Sequence, residues 1–431
     1  MKNNSKLKMI FDATVLAYGE TKNANRSGIY FVSFNILKEF YKSKNFEIVL
    51  YCEHEKYGNL NKVITKYFPS SDLKIITNKV VSSKTQIYEK IKAIKWFSKD
   101  KNEILFKFFI QCLLNVLSCF VFFENLIYKF KLKKYQSYNI FFSPIYKIPS
   151  AFEKIKHMKK YTILYDAVPV IYPALTVSSN PNSWYSNLTN SLNSNDYYFT
   201  DSESARSDFL KYFPKIDSNK IKTTLLACNE SFRPYSKNLS AVKAKYNIPT
   251  NGRYIFSLCN LDPRKNLIRN VKTFIEFIKK HNIDDLYYVI GGAAFNSFIK
   301  ELKKSIDDLG VYMDKIIKIG YVEDEDLAPL YSGAEWFVYT SQYEGFGLPP
   351  LEAMSCGCPV ITSNNSSLPE VVGDAGIMID WDSDEQHIQA YEKYYFDKSY
   401  RNEMAKRGIV RSHQFSWQKC AGQMMEKMME K

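Results

Sequence analysis

Short apolar runs typical of β-strands alternate with helical stretches along most of the chain, and this alternation restricts the fold more than any other feature. The order strand–helix–strand recurs in each half of the sequence. Such repetition predicts an α/β protein with two doubly wound parallel sheets. The predicted strands are Met9–Ala13, Glu47–Cys52, Leu73–Thr77, Asn139–Phe142, Tyr161–Tyr165, Tyr197–Thr200, Lys222–Leu226, Tyr254–Ser257, Tyr287–Ile290, Ile316–Ile319, Trp336–Tyr339, Pro359–Thr362 and Gly376–Met378.

The length of 431 residues exceeds what one hydrophobic core usually holds, so two domains are expected. Periodicity lapses around Pro234, which favours a linker there. We predict a first Rossmann-like domain over 1–235, with an apolar and basic helical insert at about 84–134. A second Rossmann-like domain follows over 236–405, and a final helix over 406–431 is expected to pack back toward the first domain.

The positive charge is concentrated in the first half of the chain. Residues 1–240 hold 36 Lys and Arg against 19 Asp and Glu, whereas residues 241–431 hold 23 against 26. A basic half favours an anionic partner such as lipid headgroups or nucleic acid. No recognised nucleic-acid-binding signature accompanies the lysines, so we expect no nucleic-acid partner and favour an anionic membrane surface.

The segment 104–128 is mostly apolar and is flanked by lysines. Its charge-free run, Phe108 to Phe123, is shorter than the ~20 residues that a helix needs to cross a bilayer. Its polar residues form one narrow stripe at helical spacing. Two interpretations remain open: a helix lying in an anionic membrane interface, and a helix buried inside the first domain.

Two glutamates, Glu344 and Glu352, stand on either side of the sequence Gly-Phe-Gly-Leu-Pro-Pro-Leu. A predicted strand ends just before Glu344, and the two prolines suit the first turn of a helix. Gly345 and Gly347 let the backbone approach a ligand closely, and amide groups at the helix start favour an anion. Glu352 is expected within the first turn. The alternative is a plain turn in which Glu352 compensates the helix dipole.

A second candidate site follows the predicted strand Tyr254–Ser257, in the sequence Asp-Pro-Arg-Lys-Asn. Arg264 and Lys265 are adjacent cations at the carboxyl end of a strand, where α/β folds bind ligands. Arg can grip a phosphate through two N–H groups, and Lys adds a point charge. An isolated pair of this kind is more often a solvated turn. The loop with Arg264 and Lys265 and the loop with Glu344 both follow strands of the same predicted sheet. We therefore expect the two loops to lie close together and to form one site.

The segments EGFGLPPLEAMSCGCPVITSN, SLPEVVGDAG and DPRKNL together resemble the retaining glycosyltransferases of the GT-B fold, family 4. That family is marked by two glutamates separated by seven residues, which Glu344 and Glu352 match. The likeness covers nearly all of the second half. It implies two Rossmann-like domains that face each other across a cleft, and transfer of a sugar from a nucleoside-diphosphate donor.

The resemblance also implies roles for individual residues. Arg264 and Lys265 would bind the donor diphosphate, Glu344 would bind the transferred sugar and Glu352 would bind the ribose. The candidate catalytic set consists of Arg264, Lys265, Glu344 and Asp166. Backbone groups would contact the base, the sugar and the phosphates at the remaining candidate positions, which are Gly28, Tyr321, Val322, Gly345, Phe346, Gly347 and Leu348.

The first half resembles the family less closely. Where many relatives read His-Asp, this chain has Tyr165-Asp166, so no imidazole is expected beside the reacting sugar. Asp166 itself is still expected to contact donor or acceptor. Ser202, in the segment Thr-Asp-Ser-Glu-Ser, is expected to cap a helix by accepting a hydrogen bond from the amide of Ala205.

The resemblance implies a retaining glycosyltransferase that acts on a glycan hydroxyl, with no metal or cofactor required. The basic half favours a lipid-linked bacterial polysaccharide as acceptor, and a cytoplasmic protein held peripherally on the inner face of the membrane. Three alternatives remain: a non-catalytic nucleotide-sugar-binding regulatory protein of the same fold, a nucleic-acid-binding protein, and a phosphorylase-like enzyme. The last is disfavoured because no obvious lysine for a pyridoxal cofactor is present.

Overall fold

A computed structural model of the protein describes residues 6–21, 28–53, 56–77, 111, 115–116, 118, 134–173, 183–235, 238–292, 296–308 and 310–430. Nearly all of the apolar segment 104–128, and with it the predicted interfacial helix, lies outside these residues. Within the described part of the chain, no helix is both long enough and apolar enough to span a bilayer.

Seven parallel strands form the first sheet, in the order β3-β2-β1-β4-β5-β6-β7. Leu7 pairs with Phe46, and Met9 pairs with Ile140, so β1 lies between β2 and β4. The strand order reverses direction at β1, as the prediction of a doubly wound sheet requires. The strands are β1 (Leu7–Asp12), β2 (Phe46–Cys52), β3 (Lys74–Thr77), β4 (Ile140–Ser143), β5 (Lys159–Leu164), β6 (Tyr197–Thr200) and β7 (Ile221–Thr223).

Six parallel strands form the second sheet, in the order β10-β9-β8-β11-β12-β13. Tyr254 pairs with Tyr287, and Phe337 pairs with Val360. The order reverses at β8, which places the loops after β8 and β11 side by side at the carboxyl edge. The strands are β8 (Arg253–Leu258), β9 (Leu286–Gly291), β10 (Ile316–Gly320), β11 (Phe337–Tyr339), β12 (Val360–Ser363) and β13 (Ile377–Ile379).

Helices connect most of these strands. Helix α9 shows why such helices pack on the sheets. In α9 the buried side chains include Leu267, Val271, Phe274 and Ile278, which recur at helical spacing and join the core of the second sheet. The α-helices are α1 (Thr14–Tyr18), α2 (Gly28–Lys42), α3 (Tyr57–Tyr67), α4 (Ser150–Glu153), α5 (Val168–Ile171), α6 (Trp184–Ser191), α7 (Glu203–Tyr212), α8 (Leu239–Lys245), α9 (Leu267–Lys280), α10 (Asn296–Asp307), α11 (Asp324–Gly333), α12 (Leu348–Ser355), α13 (Leu368–Val372), α14 (Asp384–Phe396), α15 (Lys398–Ser412) and α16 (Trp417–Met429).

Each of the thirteen predicted strands is present, with its ends within three residues of the predicted ones, and the two doubly wound parallel sheets are confirmed. The chain divides into two compact units, Met1–Thr162 and Ile163–Lys431, with the boundary inside β5. Within the second unit, the indole nitrogen of Trp417 in α16 donates to the carbonyl of Cys228 at 3.1 Å. The predicted domain boundary near residue 235 and the predicted return of the last helix stay predictions.

Candidate active site

The turn that carries Arg264 and Lys265 lies in the loop after β8. Pro263–Lys265 is one turn of 3-10 helix, and Asn266, with a positive φ of 59°, leads into α9. The side-chain amide of Asn266 donates to the carbonyl of Trp381 at 2.6 Å, which anchors the turn from one side. The carbonyl of Arg264 accepts from the amide of Gln342 at 2.9 Å. This backbone bond ties the turn to the loop after β11.

Arg264, Lys265 and Glu344 form one ion cluster at the carboxyl ends of β8 and β11. The guanidinium of Arg264 lies 3.0 Å from one carboxylate oxygen of Glu344, and the ammonium of Lys265 donates to the other. Lys265 also donates to the hydroxyl of Tyr339 at 2.8 Å. The Lys265 and Glu344 side chains are at least nine-tenths buried. The structure thus brings together three of the four predicted catalytic residues in direct contact.

The charge on Glu344 is fixed by its two partners. Burial alone would raise the pKa of this carboxyl, but Arg264 and Lys265 outweigh burial and lower the pKa to about 2. Glu344 is therefore ionised at neutral pH. Within the cluster two cations face one carboxylate, and Arg264 also lies in the field of Asp262. Paired cations of this kind suit an anionic ligand such as a diphosphate.

Serines after β12 hold the loop that carries Glu344. The hydroxyl of Ser367 donates to the carbonyls of Glu344 at 3.1 Å and of Phe346 at 2.6 Å. The amide of Glu344 donates to the hydroxyl of Ser366 at 3.0 Å. Sequence reasoning missed these serines as site residues. Their only signal is the polar run Ser-Asn-Asn-Ser-Ser at 363–367, which joins two of the segments that carry the family resemblance.

Gly345 is pressed between segments of the second unit. A side-chain carbon at this position would lie 2.6 Å from the carbonyl oxygen of Tyr165 and 3.0 Å from the Cβ of Asp166. The hydroxyl of Ser202 donates to the carbonyl of Gly345 at 2.6 Å and accepts from the amide of Ala205 at 3.0 Å, so the predicted helix cap is confirmed. Only glycine permits this approach without displacing backbone.

Asp166 lies just beyond β5 and is half-buried. Its carboxylate accepts from the amide of Val168 at 3.0 Å, and its carbonyl accepts from the hydroxyl of Tyr185 at 3.2 Å. Burial raises the pKa of Asp166, and the positive charge of Arg264 opposes that rise. The fourth predicted catalytic residue therefore stands beside Gly345 and within the electrostatic field of the cluster.

The helix after the glycines, α12, begins at Leu348 and is capped by Gly347 with a φ of 120°. Glu352 is its fifth residue, so the prediction that Glu352 lies in the first turn is wrong. The helix starts before both prolines, which moves the glutamate into the second turn. Because proline has no amide hydrogen, the backbone donors at this helix start are the amides of Gly347 and Leu348.

Glu352 has one clear partner, the hydroxyl of Tyr331, which donates to its carboxylate at 3.0 Å. Burial raises the pKa of Glu352 to about 7, although the hydrogen bond from Tyr331 opposes the rise. The ring of Tyr331 lies 5.2 Å from that of Phe337, which lies 6.0 Å from that of Tyr339, the partner of Lys265. Three aromatic rings thus connect the surroundings of both glutamates.

Three further predicted binding residues belong to other elements of the fold. Gly28 begins α2 in the first unit and is exposed. Tyr321 follows β10 and is exposed, whereas the side chain of Val322 is buried. Their predicted contacts to the donor stay predictions.

The fold has counterparts among solved structures. A structure of HepE from Anabaena, in complex with UDP and glucose, superposes with a TM-score of 0.65 over 98% of this chain and 99% of that chain, at 14% identity. WaaG, a glycosyltransferase involved in lipopolysaccharide biosynthesis, superposes with a TM-score of 0.62 over 98% of this chain and 100% of that one, at 12% identity. These likenesses show that the chain has the GT-B fold, with two Rossmann-like domains.

Sequence comparison then gives the family. Residues 240–411 match the family described as "Glycosyl transferases group 1". The O-antigen chain mannosyltransferase B of Escherichia coli is 33% identical over 68% of this chain and 74% of its own length. The serotype-specific mannosyltransferase WbdA of Escherichia coli is 28% identical over 61% of this chain, but that alignment spans only 32% of WbdA. The chain belongs to the glycosyl transferases group 1 family.

Proposed function

We propose that this protein is a retaining glycosyltransferase that moves mannose from a nucleoside-diphosphate mannose to a hydroxyl of a glycan in polysaccharide synthesis. The observation that carries the proposal is the buried cluster of Arg264, Lys265 and Glu344 at the carboxyl edge of the second sheet. Mannose is chosen because similar proteins from Escherichia coli bear the name mannosyltransferase.

In this proposal the donor diphosphate binds to Arg264 and Lys265 and to the amides of Gly347 and Leu348. Glu344 accepts hydrogen bonds from hydroxyls of the mannose, and Glu352 accepts them from the ribose. The two glutamates stand on either side of the segment Gly-Phe-Gly-Leu-Pro-Pro-Leu, whose amides bind the diphosphate. Each glutamate is a hydrogen-bond acceptor rather than a group that transfers a proton. Glu344 is poorly suited to donate a proton because its pKa is about 2.

The reaction breaks the bond between the anomeric carbon and the phosphate oxygen. A new bond forms from that carbon to the acceptor oxygen on the same face, so the anomeric configuration is retained. The hydroxyl proton of the acceptor passes to the departing diphosphate, which leaves with the electron pair of the broken bond. Arg264 and Lys265 stabilise the charge that grows on the phosphate, and no metal is needed for that step.

Asp166 has a different task in the same scheme. Asp166 is half-buried, and its Cβ lies beside Gly345, in the loop where the transferred sugar is expected. We assign it to hold a hydroxyl of donor or acceptor, a role that needs only an acceptor oxygen. This assignment requires no imidazole, and the chain has Tyr165 where many relatives carry one.

The test is a donor screen followed by product analysis. Purified protein is screened by thermal shift against mannose and glucose linked to GDP, UDP, ADP, CDP and dTDP, because a ligand that binds the folded state raises its melting temperature. The donor that gives the largest shift is then incubated with mannobiose glycosides, and NMR gives the anomeric configuration of the product. Transfer with retention supports the proposal. Transfer with inversion refutes the retaining mechanism. Donor binding with neither sugar transfer nor donor hydrolysis favours the non-catalytic regulatory alternative.

We further propose that the acceptor is lipid-linked and that the enzyme works at the inner face of the cytoplasmic membrane. The excess of positive charge in residues 1–240 supports this. In a flotation assay we expect the protein to rise with vesicles rich in phosphatidylglycerol and to remain below with neutral vesicles. Exchange of three apolar residues within 108–123 for glutamate should abolish flotation. Unchanged flotation of that variant would refute the role of the segment.

A further inference from the structure

Two tyrosine rings meet next to the cluster, on loops that follow different sheets. The rings of Tyr172 and Tyr343 have centroids 5.6 Å apart. Tyr343 immediately precedes Glu344, and Tyr172 follows the short helix α5, six residues after Asp166. Each loop therefore pairs an aromatic ring with a carboxylate of the candidate catalytic set.

Tyr343 is held rigidly. Its hydroxyl donates to the carboxylate of Asp208 and lies 3.4 Å from the hydroxyl of Ser204. Its carbonyl accepts from the guanidinium of Arg264. The ring is thus fixed at its tip by α7 and at its backbone by the donor-binding turn, so it needs little reorganisation to bind a ligand.

Tyr172 is different because it is 39% exposed. Its ring packs on that of Tyr343, whereas the residue keeps more than a third of its surface exposed. Trp184 is a second exposed aromatic, and it packs edge-on against Tyr185. The hydroxyl of Tyr185 donates to the carbonyl of Asp166. Large exposed aromatics beside a catalytic site are typical of ligand-binding surfaces.

We propose that the Tyr172–Tyr343 pair is a subsite for the acceptor glycan, in which the apolar C–H face of a pyranose ring stacks on Tyr172. This inference rests on the proposed function, because a sugar-transfer enzyme must hold a second sugar beside the transferred one. The donor mannose is assigned to Glu344, and Tyr343 is the residue that precedes it. Base and ribose are assigned to residues after β10 and in α12, so they do not compete for the pair.

The chemistry of the subsite follows from its groups. An aromatic face attracts the C–H groups of a sugar and leaves its hydroxyls free for polar partners. Two carboxylates belong to this region: Asp166, six residues before Tyr172, and Asp208, which accepts from the hydroxyl of Tyr343. The occupant is therefore a neutral pyranose of a glycan chain, and the contact sets the acceptor affinity rather than the donor affinity.

The experiment compares Tyr172→Ala, Tyr172→Phe and Tyr212→Ala. Tyr212 is a matched control, because it is 38% exposed and lies at the end of α7. Sugar transfer is measured with an octyl mannobioside as the acceptor probe, at saturating donor. We expect Tyr172→Ala to raise the acceptor KM roughly 3- to 10-fold, the range that one aromatic stacking contact gives. Donor affinity should stay within about twofold, and Tyr172→Phe and Tyr212→Ala should behave like the wild type.

Each result has one meaning. If the wild type transfers mannose and Tyr172→Ala leaves the acceptor KM unchanged, the subsite is refuted and the proposed function stands. A rise in donor KM without a rise in acceptor KM also refutes it, because the ring would then serve the donor. Absence of transfer and of donor hydrolysis by the wild type would reject the proposed function and the subsite together.

Discussion

Exchange of Glu344 for glutamine should destabilise the protein more than any surface exchange of the same kind. The substitution keeps the shape of the side chain but removes the charge that two buried cations share. Removing one partner of a buried ion pair typically costs about 3–5 kcal/mol. The pKa of Glu344 gives a second value for this loss of stability. A change from the ordinary 4.5 to about 2, at about 1.36 kcal/mol per pH unit, corresponds to about 3 kcal/mol. For a domain of ordinary size this equals a loss of roughly 6–12 °C in melting temperature.

The effect has a defined pH dependence. The folded-state pKa of Glu344 lies below its unfolded value, so its contribution is fully present above pH 4.5 and is lost as the pH falls toward about 2. We expect the difference between wild type and Glu344→Gln to be constant from pH 5 to 8 and to shrink below pH 4.5. The assay is urea unfolding followed by fluorescence and circular dichroism, whose coincidence tests for a single transition.

Glu403→Gln is the matched control for this experiment. Glu403 pairs with Arg407 at 2.5 Å on α15, but both side chains are about half exposed. Exposed pairs of this spacing contribute about 0.3–0.5 kcal/mol. If Glu344→Gln lowered the free energy of unfolding no more than Glu403→Gln does, Glu344 would not be the buried counter-ion of Arg264 and Lys265, and the reasoning would be refuted.

Three further outcomes are expected. Affinity for a nucleoside-diphosphate sugar should rise between pH 6 and 8, because burial raises the pKa of Glu352 to about 7 and its ionised form is the stronger acceptor; calorimetry should find no such rise for Glu352→Gln. Gly345→Ala should abolish donor binding in a thermal-shift assay, because its new methyl group would lie 2.6 Å from a carbonyl oxygen, whereas Gly422→Ala, with open space around it, should be neutral or slightly stabilising. Ser202→Ala should cost about 1–2 kcal/mol in urea unfolding and weaken donor binding, since it removes a helix cap and the contact to Gly345; unaltered donor binding would show that this contact does not position the loop.

The strands could be predicted because each is a short apolar run bounded by polar residues, and the hydrophobic effect acts on that pattern directly. The convergence of Arg264 and Lys265 with Glu344 could be predicted for a topological reason. Parallel strands present their carboxyl ends at one edge, so the loops after β8 and β11 lie near each other because these two strands are neighbours in the sheet.

What could not be predicted depends on contacts between segments far apart in sequence. The hydroxyl of Ser367 meets the loop carbonyls only because β12 lies beside β11 in the observed register. The hydrogen bond of Tyr331 to Glu352 joins two helices across 21 residues. The prediction that Glu352 lies in the first turn of α12 is wrong because two prolines suit a first turn without stating which residue begins it.

The central claim, that the cluster of Arg264, Lys265 and Glu344 binds the diphosphate of a nucleotide sugar, is tested most directly by calorimetric titration of Lys265→Met. The titrant is the nucleotide sugar that gives the largest thermal shift with the wild type. Lys272→Met is the control, because Lys272 is 60% exposed on α9 and pairs with Asp384 rather than with the cluster. Loss of a charge-assisted hydrogen bond should weaken binding by roughly 10- to 100-fold in Lys265→Met and leave Lys272→Met unchanged. Equal affinity of Lys265→Met and the wild type would contradict the assignment.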